Sequence, residues 1–178
     1  MKKIVAFLSL LIFANCVIAQ GNHTVTKSTI TFQIKNLGIN TGGTFSGLQA
    51  SIQFDPANLG TSKIDATLDA TSVNTDNDMR DDHLKSDSYF DVTKYPKITL
   101  KSVSFKHKSG NNYVGQFNVT IKDKTQLLDL PFTYTKTDNM ASFKGTLKLQ
   151  RTDFGIGGKS MVMSNDVAVS IEVLAKTS

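Results

Sequence analysis

Beyond residue 22, apolar and polar residues alternate with a period of two along almost the whole chain. This restricts the fold more than any other feature, because a period of two belongs to strands with one dry face and one wet face. Ile30, Phe32 and Ile34 interleave with Thr29, Thr31, Gln33 and Lys35, and Ile64, Ala66, Leu68 and Ala70 with Asp65, Thr67, Asp69 and Thr71. The same pattern runs through Phe117, Val119 and Ile121, through Leu128, Leu130, Phe132 and Tyr134, through Leu147 and Leu149, and through Val167, Val169, Ile171 and Val173. Phe45 to Phe54 and Lys97 to His107 are strand-like but change phase midway, which predicts one bulge near Gly47 and another near Ser102.

These segments amount to about eight strands joined by short polar turns, an antiparallel meander rather than βαβ units. Closure into a barrel removes the exposed edges, and eight strands suit a small barrel that holds a ligand. A two-sheet sandwich is the alternative. Residues 76–90 lack alternation. Asp76 or Asn77 is placed to cap a short helix lying across one mouth, with Met79, Leu84 and Phe90 facing the barrel. Asp153 to Asn165, with three glycines and Met161-Val162-Met163 at its end, reads as a mobile loop and an adaptable lip.

The inward rows contain the small residues Ala50, Ala66, Ala70, Ser72, Gly115 and Gly145. They fit either an apolar cavity or a filled interior in which they permit coiling and bends.

Residues 1–19 read differently. Lys2 and Lys3 precede the apolar run Ile4 to Phe13, and Val17-Ile18-Ala19 offers a cleavage site, so a secretory signal peptide is expected, with residues 20–178 as one domain. The protein is therefore expected to be exported, periplasmic or secreted. A lipoprotein signal ending at Cys16 is the alternative, although Asn15 precedes it. With cleavage after Ala19 the sole cysteine is lost, so no disulfide is expected. Loss of Lys2 and Lys3 leaves 18 basic against 15 acidic residues, evenly spread, which gives no basis for nucleic-acid binding.

Catalytic chemistry finds little support. His83 stands beside Asp81 and Asp82, but neither His23 nor His107 is at metal-ligand spacing, and no metal or other cofactor is expected. No serine occupies a G-x-S-x-G elbow, and Gly155 to Gly158 lacks the context of a phosphate loop. Arg80, Asp81 and His83 are expected to anchor the helix through a polar network at the rim, which Arg151 and Asp153 could join. A polar ligand headgroup or a hydrolase-like activity at this rim are the alternatives.

Several blocks in the right order resemble the YceI-like family of exported lipocalin-like proteins. They are Phe32-Gln33-Ile34-Lys35-Asn36-Leu37-Gly38, Gly43-Thr44-Phe45 with Gly47, Phe54-Asp55, and Arg80-Asp81-Asp82-His83-Leu84-Lys85-Ser86. Phe90-Asp91-Val92, Tyr95 to Ser102 and Arg151-Thr152-Asp153-Phe154-Gly155-Ile156-Gly157 complete the series. The resemblance implies an extended eight-stranded antiparallel barrel that binds a polyisoprenoid, an isoprenoid quinone or another amphiphilic lipid, and it implies no enzymatic reaction. Asn36 stands where the family commonly has His, and Asp123-Lys124-Thr125 is a weak form of its glycine-containing turn. The residues expected to line the lipid site are Phe32, Ile34, Phe45, Leu68, Leu100, Phe117, Leu130, Phe132, Phe143 and Leu147. A module with a filled barrel, acting through its loops in a stress response or on a partner, is the competing expectation, and a homodimer is left open.

Overall fold

An alternating strand needs hydrogen-bonding partners on both edges and a dry space for one face. In the computed structural model, which describes residues 21–177, the strands meet both needs by closing on themselves. The strands are β1 (Asn22–Asn36), β2 (Ile39–Phe45), β3 (Gln49–Gln53), β4 (Lys63–Asp69), β5 (Lys97–Ser109), β6 (Asn112–Ile121), β7 (Lys124–Thr137), β8 (Met140–Gln150) and β9 (Met163–Thr177). Each pairs antiparallel with its neighbour, and β1 returns to pair with β9 from His23↔Thr177 to Asn36↔Met163. β2 and β3 are two halves of one stave, so the ring is a closed eight-stranded barrel rather than a sandwich. The expected leader and Cys16 lie outside the described residues.

Both expected phase changes are present. The β2/β3 stave breaks at Ser46–Leu48, where Gly47 has φ 73° and Ser72 Oγ donates to the Ser46 carbonyl while accepting from Ser46 N. In β5 the register with β6 slips between Ser102 and Ser104. The β1–β2 hairpin turns through Leu37 (φ 51°) and Gly38 (φ 79°), both left-handed as a two-residue hairpin loop of this type demands. Glycine fits that geometry freely, whereas a leucine in it costs about 1–2 kcal/mol.

The irregular segment after β4 forms the helix α1 (Asp78–Lys85), capped by Asn77, whose side chain accepts from Arg80 N. Leu84 and Phe90 pack inward as expected. Met79 does not: it is 82% exposed, because it falls on the helix face turned away from the barrel. Gly43 allows the chain leading into α1 to cross β2 closely, since a Cβ there would lie 2.4 Å from the Asn74 carbonyl oxygen.

The interior is divided along its length. At one end Phe54, 1% exposed, meets Phe105, Tyr113, Phe132 and Phe143 edge-on or nearly so and Tyr134 tilted, with ring centroids 4.9–5.7 Å away. His23 joins this plug: its Nε2 lies 3.3 Å from the Tyr134 hydroxyl, and its buried Nδ1 has no hydrogen-bond partner. Gly115 belongs here too, for a Cβ would strike the Phe117 ring at 2.5 Å, so its smallness makes room for rings and not for a cavity. Burial depresses the His23 pKa below its usual 6.5, against a smaller upward pull from the backbone of Gly21 and Ile52.

Two outcomes are expected. Phe54→Ala removes the centre of the plug and should cost about 3–5 kcal/mol in urea unfolding. Because the folded state resists protonation of His23, its contribution is complete above pH 6.5 and is lost as pH falls below that value. The urea midpoint should thus drop more between neutral pH and pH ~5.5 in the wild type than in His23→Gln.

Candidate functional site

Above the aromatic plug the inward side chains become mostly aliphatic, with Phe32, Phe45 and Phe90 in contact near the top, and the walls stand apart. The result is a cavity of about 220 Å³. Its floor is aromatic and its roof is built from Leu84 of α1, Tyr89 and Phe90 after it, and Ile156 and Met163 of the β8–β9 connection. Every one of the ten residues expected to face a ligand lines this space: Phe32 and Ile34 from β1, Phe45 from β2, Leu68 from β4, Leu100 from β5, Phe117 from β6, Leu130 and Phe132 from β7, and Phe143 and Leu147 from β8. Ala50, Ala66 and Gly145 also line it, whereas Ala70 is buried outside it and the Ser72 hydroxyl bonds to backbone at Ser46 and Asp69. The small residues thus serve both purposes weighed from the sequence, at different heights of one barrel.

Further lining residues lie on the same alternating rows, among them Ile30, Ile64, Ile98, Val119, Val169 and Ile171, and the period-two pattern was sufficient to find them. Tyr89 and Ile156 at the mouth carried no such signal.

The polar residues at the mouth do not form the single network expected of Arg80, Asp81, His83, Arg151 and Asp153. Thr75, which is buried, is the hub of one group: Asp81 Oδ1 accepts from Thr75 N at 2.9 Å and from its hydroxyl at 2.5 Å. Arg80 donates through Nε to the Thr75 hydroxyl at 2.8 Å and through Nη2 to the Thr75 carbonyl at 2.7 Å. Arg80 and Asp81 therefore clamp one residue from two sides instead of pairing with each other. His83 is exposed and lies against the Tyr89 ring, with centroids 4.8 Å apart.

Arg151 forms a second group. It is 2% exposed and donates to the carbonyls of Ile156, Gly158 and Ser164 at 2.8–2.9 Å and to that of Met163 at 3.4 Å. A guanidinium has several donors in a fixed fork, and the connection that curls around it turns its carbonyls inward to meet them. Asp153, two residues on, is exposed and plays no part in this. The segment expected to be a mobile loop is accordingly pinned at its base. Gly157 N also donates to the Ser88 carbonyl at 2.8 Å, which ties it to the chain following α1.

Among the described residues no three His, Cys, Asp or Glu side chains are grouped to hold a metal ion, and no helix is long and apolar enough to cross a membrane. What the site offers chemically is dry apolar surface under a polar rim.

A closed up-and-down antiparallel barrel around such a cavity is a lipocalin-like binding fold. The chain belongs to the YceI-like family, whose domain model matches residues 22–175. A UPF0312 protein of Pectobacterium atrosepticum is 31% identical over 163 residues, covering 86% of this chain and 81% of its own. The crystal structure of BcnA from Burkholderia cenocepacia is 25% identical with a TM-score of 0.80, over 84% of this chain and 96% of that one. A polyisoprenoid binding domain from Saccharophagus degradans shares the fold at 15% identity and a TM-score of 0.66, over 89% of this chain and 99% of that domain.

Arg151→Met should leave at least three carbonyls without partners and cost roughly 2–4 kcal/mol. Hydrogen exchange should rise in residues 155–164 before it rises in the strands.

Proposed function

We propose that this protein binds, and stores or carries, an amphiphilic lipid of the isoprenoid type without acting on it chemically. The observation that carries the reading is the cavity itself: continuous, lined almost wholly by hydrocarbon, and roofed by side chains that lie beside a polar rim. On β9 the lining runs from Met163 to Val173. At ~3.3 Å per residue and a usual strand tilt this is roughly 25 Å along the barrel axis. A long and narrow apolar space of that kind suits a linear hydrocarbon tail more than a compact ring system. Burial of the tail supplies affinity at about 25 cal/mol per Å², with loose discrimination among tails. The description of the Saccharophagus domain as polyisoprenoid binding supports the same class of ligand.

A filled barrel acting only through its loops is less favoured, because the aliphatic half of the interior is not filled. The basic, apolar leader at residues 1–19 supports export, which would place the carrier in the periplasm or outside the cell.

The test uses residues 20–178 purified from a bacterial periplasm without detergent, extracted with organic solvent and analysed by mass spectrometry. A stoichiometric long-chain lipid is expected. Ala66→Phe, which pushes a ring into the cavity, should remove it while leaving the barrel folded. Leu68→Arg should weaken uptake of an added prenol or quinone by on the order of 100-fold, since an unpaired cation among hydrocarbon costs several kcal/mol. A wild-type protein that is empty and refuses added prenols and quinones would overturn the reading.

A further inference from the structure

Of the nine large apolar side chains exposed among the described residues, four lie together on two adjoining loops. Leu37 is 72% and Ile39 70% exposed at the β1–β2 turn, and Met161 is fully exposed with Val162 at 52% in the β8–β9 connection. The two loops are one unit, since Leu37 N donates to the Val162 carbonyl at 2.8 Å. They project just past Ile34 and Met163, which line the cavity, so the cluster stands at its roofed end, opposite the aromatic plug.

Leu37 is unfavourable here twice over. Its φ of 51° is the left-handed conformation that suits Asn, Asp or Gly, and its large apolar side chain is mostly exposed to water. A residue that disfavours both its backbone and its solvent is explained by something outside the chain.

The charges nearby narrow what that is. From Gly21 to Phe54 there is no carboxylate, and Ile156 to Asn165 also has none, while Lys35 and Lys159 flank the apolar tips. The carboxylates at this end sit on α1 and the chain around it, at Asp76, Asp78, Asp82 and Asp87, and at the two bases of the β8–β9 connection, at Asp153 and Asp166.

We propose that the Leu37–Ile39 turn and the Met161–Val162 loop form an apolar lip that enters the surface of an anionic lipid bilayer and sets the cavity mouth against it. Apolar tips bury at the headgroup boundary, lysines beside them meet anionic headgroups, and the acidic helix stays on the water side. A tail then passes between membrane and cavity without crossing water. This rests on the lipid-binding reading above, but it concerns where lipid is exchanged and not whether it is bound.

The decisive variant is Leu37→Asn, which suits the left-handed turn better than leucine. It should raise the melting temperature while it lowers membrane association, a combination that damage to the fold cannot produce. Full-length mature protein is floated with vesicles of phosphatidylethanolamine and phosphatidylglycerol, and transfer of a fluorescent prenol from those vesicles is timed. Leu37→Asn combined with Met161→Ser should reduce both flotation and transfer by about tenfold or more. Equilibrium binding of the same prenol delivered from cyclodextrin should be unchanged.

If the double variant floats and extracts prenol like the wild type, the lip is not a membrane contact. If the lip instead joins two copies, the wild type sediments as a dimer that Leu37→Asn converts to monomer with vesicle flotation unaffected, and the proposal is equally overturned. Loss of cyclodextrin-delivered binding in the wild type would count against the lipid reading itself and is distinguishable from either result.

Discussion

The pairing of β1 with β9 is the constraint on which the rest of the structure depends. It joins the first and last strands along nearly their whole lengths, and with it the sheet has no free edge. Without it, β1 would retain only its contacts with β2 and a two-residue contact with β3, and the inward rows would open to water. The same pairing sets the register that turns Ile30, Phe32 and Ile34 of β1 toward the interior together with Val169, Ile171 and Val173 of β9. A one-residue slip of either strand against the other would turn its apolar row to the outer face, so closure and cavity are specified by one set of hydrogen bonds. Joining the chain's two ends is also costly in loop entropy, and contacts of such long sequence separation slow folding.

Much of this was legible in the sequence because a period of two reports directly which face of a strand is dry. The ten lining residues, the phase changes near Gly47 and Ser102, and a cap at Asp76 or Asn77 all follow from local pattern, and a local pattern survives translation into three dimensions when each strand has only two faces to choose from. The mouth was less legible. Arg80, Asp81 and His83 look like partners because they are neighbours in sequence, but which donor meets which acceptor is decided by Thr75 arriving beneath the helix and by the carbonyls of residues 156–164 curling around Arg151. Met79 was misplaced for a related reason: an eight-residue helix with a weakly apolar face gives little phase information, and its rotation is fixed by the Asp81–Thr75 clamp. The strained leucine at the β1–β2 turn was hidden altogether, since a Leu-Gly pair does not announce a left-handed turn as Asn-Gly does.

The contrast between the two ends of the barrel follows from one physical trade. A dry cavity of about 220 Å³ forgoes packing on the order of 5 kcal/mol by the scale of core truncations. That is a large share of a domain's usual net stability, so a fold that keeps such a cavity needs close packing elsewhere. The plug answers this: Phe54, Phe105, Tyr113, Phe132, Tyr134 and Phe143 place six rings in one end of the barrel, and Ala141 and Ala175 are sealed behind them with no exposed surface. Stability is concentrated where nothing needs to enter. Three costly features lie at or toward the other end, the unfilled space, the left-handed leucine and the bare apolar tips of the lip, whereas the plug carries the unpartnered His23 Nδ1. A hydrocarbon tail in the cavity would restore the missing contacts and stabilise the folded state in proportion to the logarithm of its concentration. On this account the molecule is an incomplete core whose missing part is supplied from outside, and the sealed end is what allows the chain to fold before that part arrives.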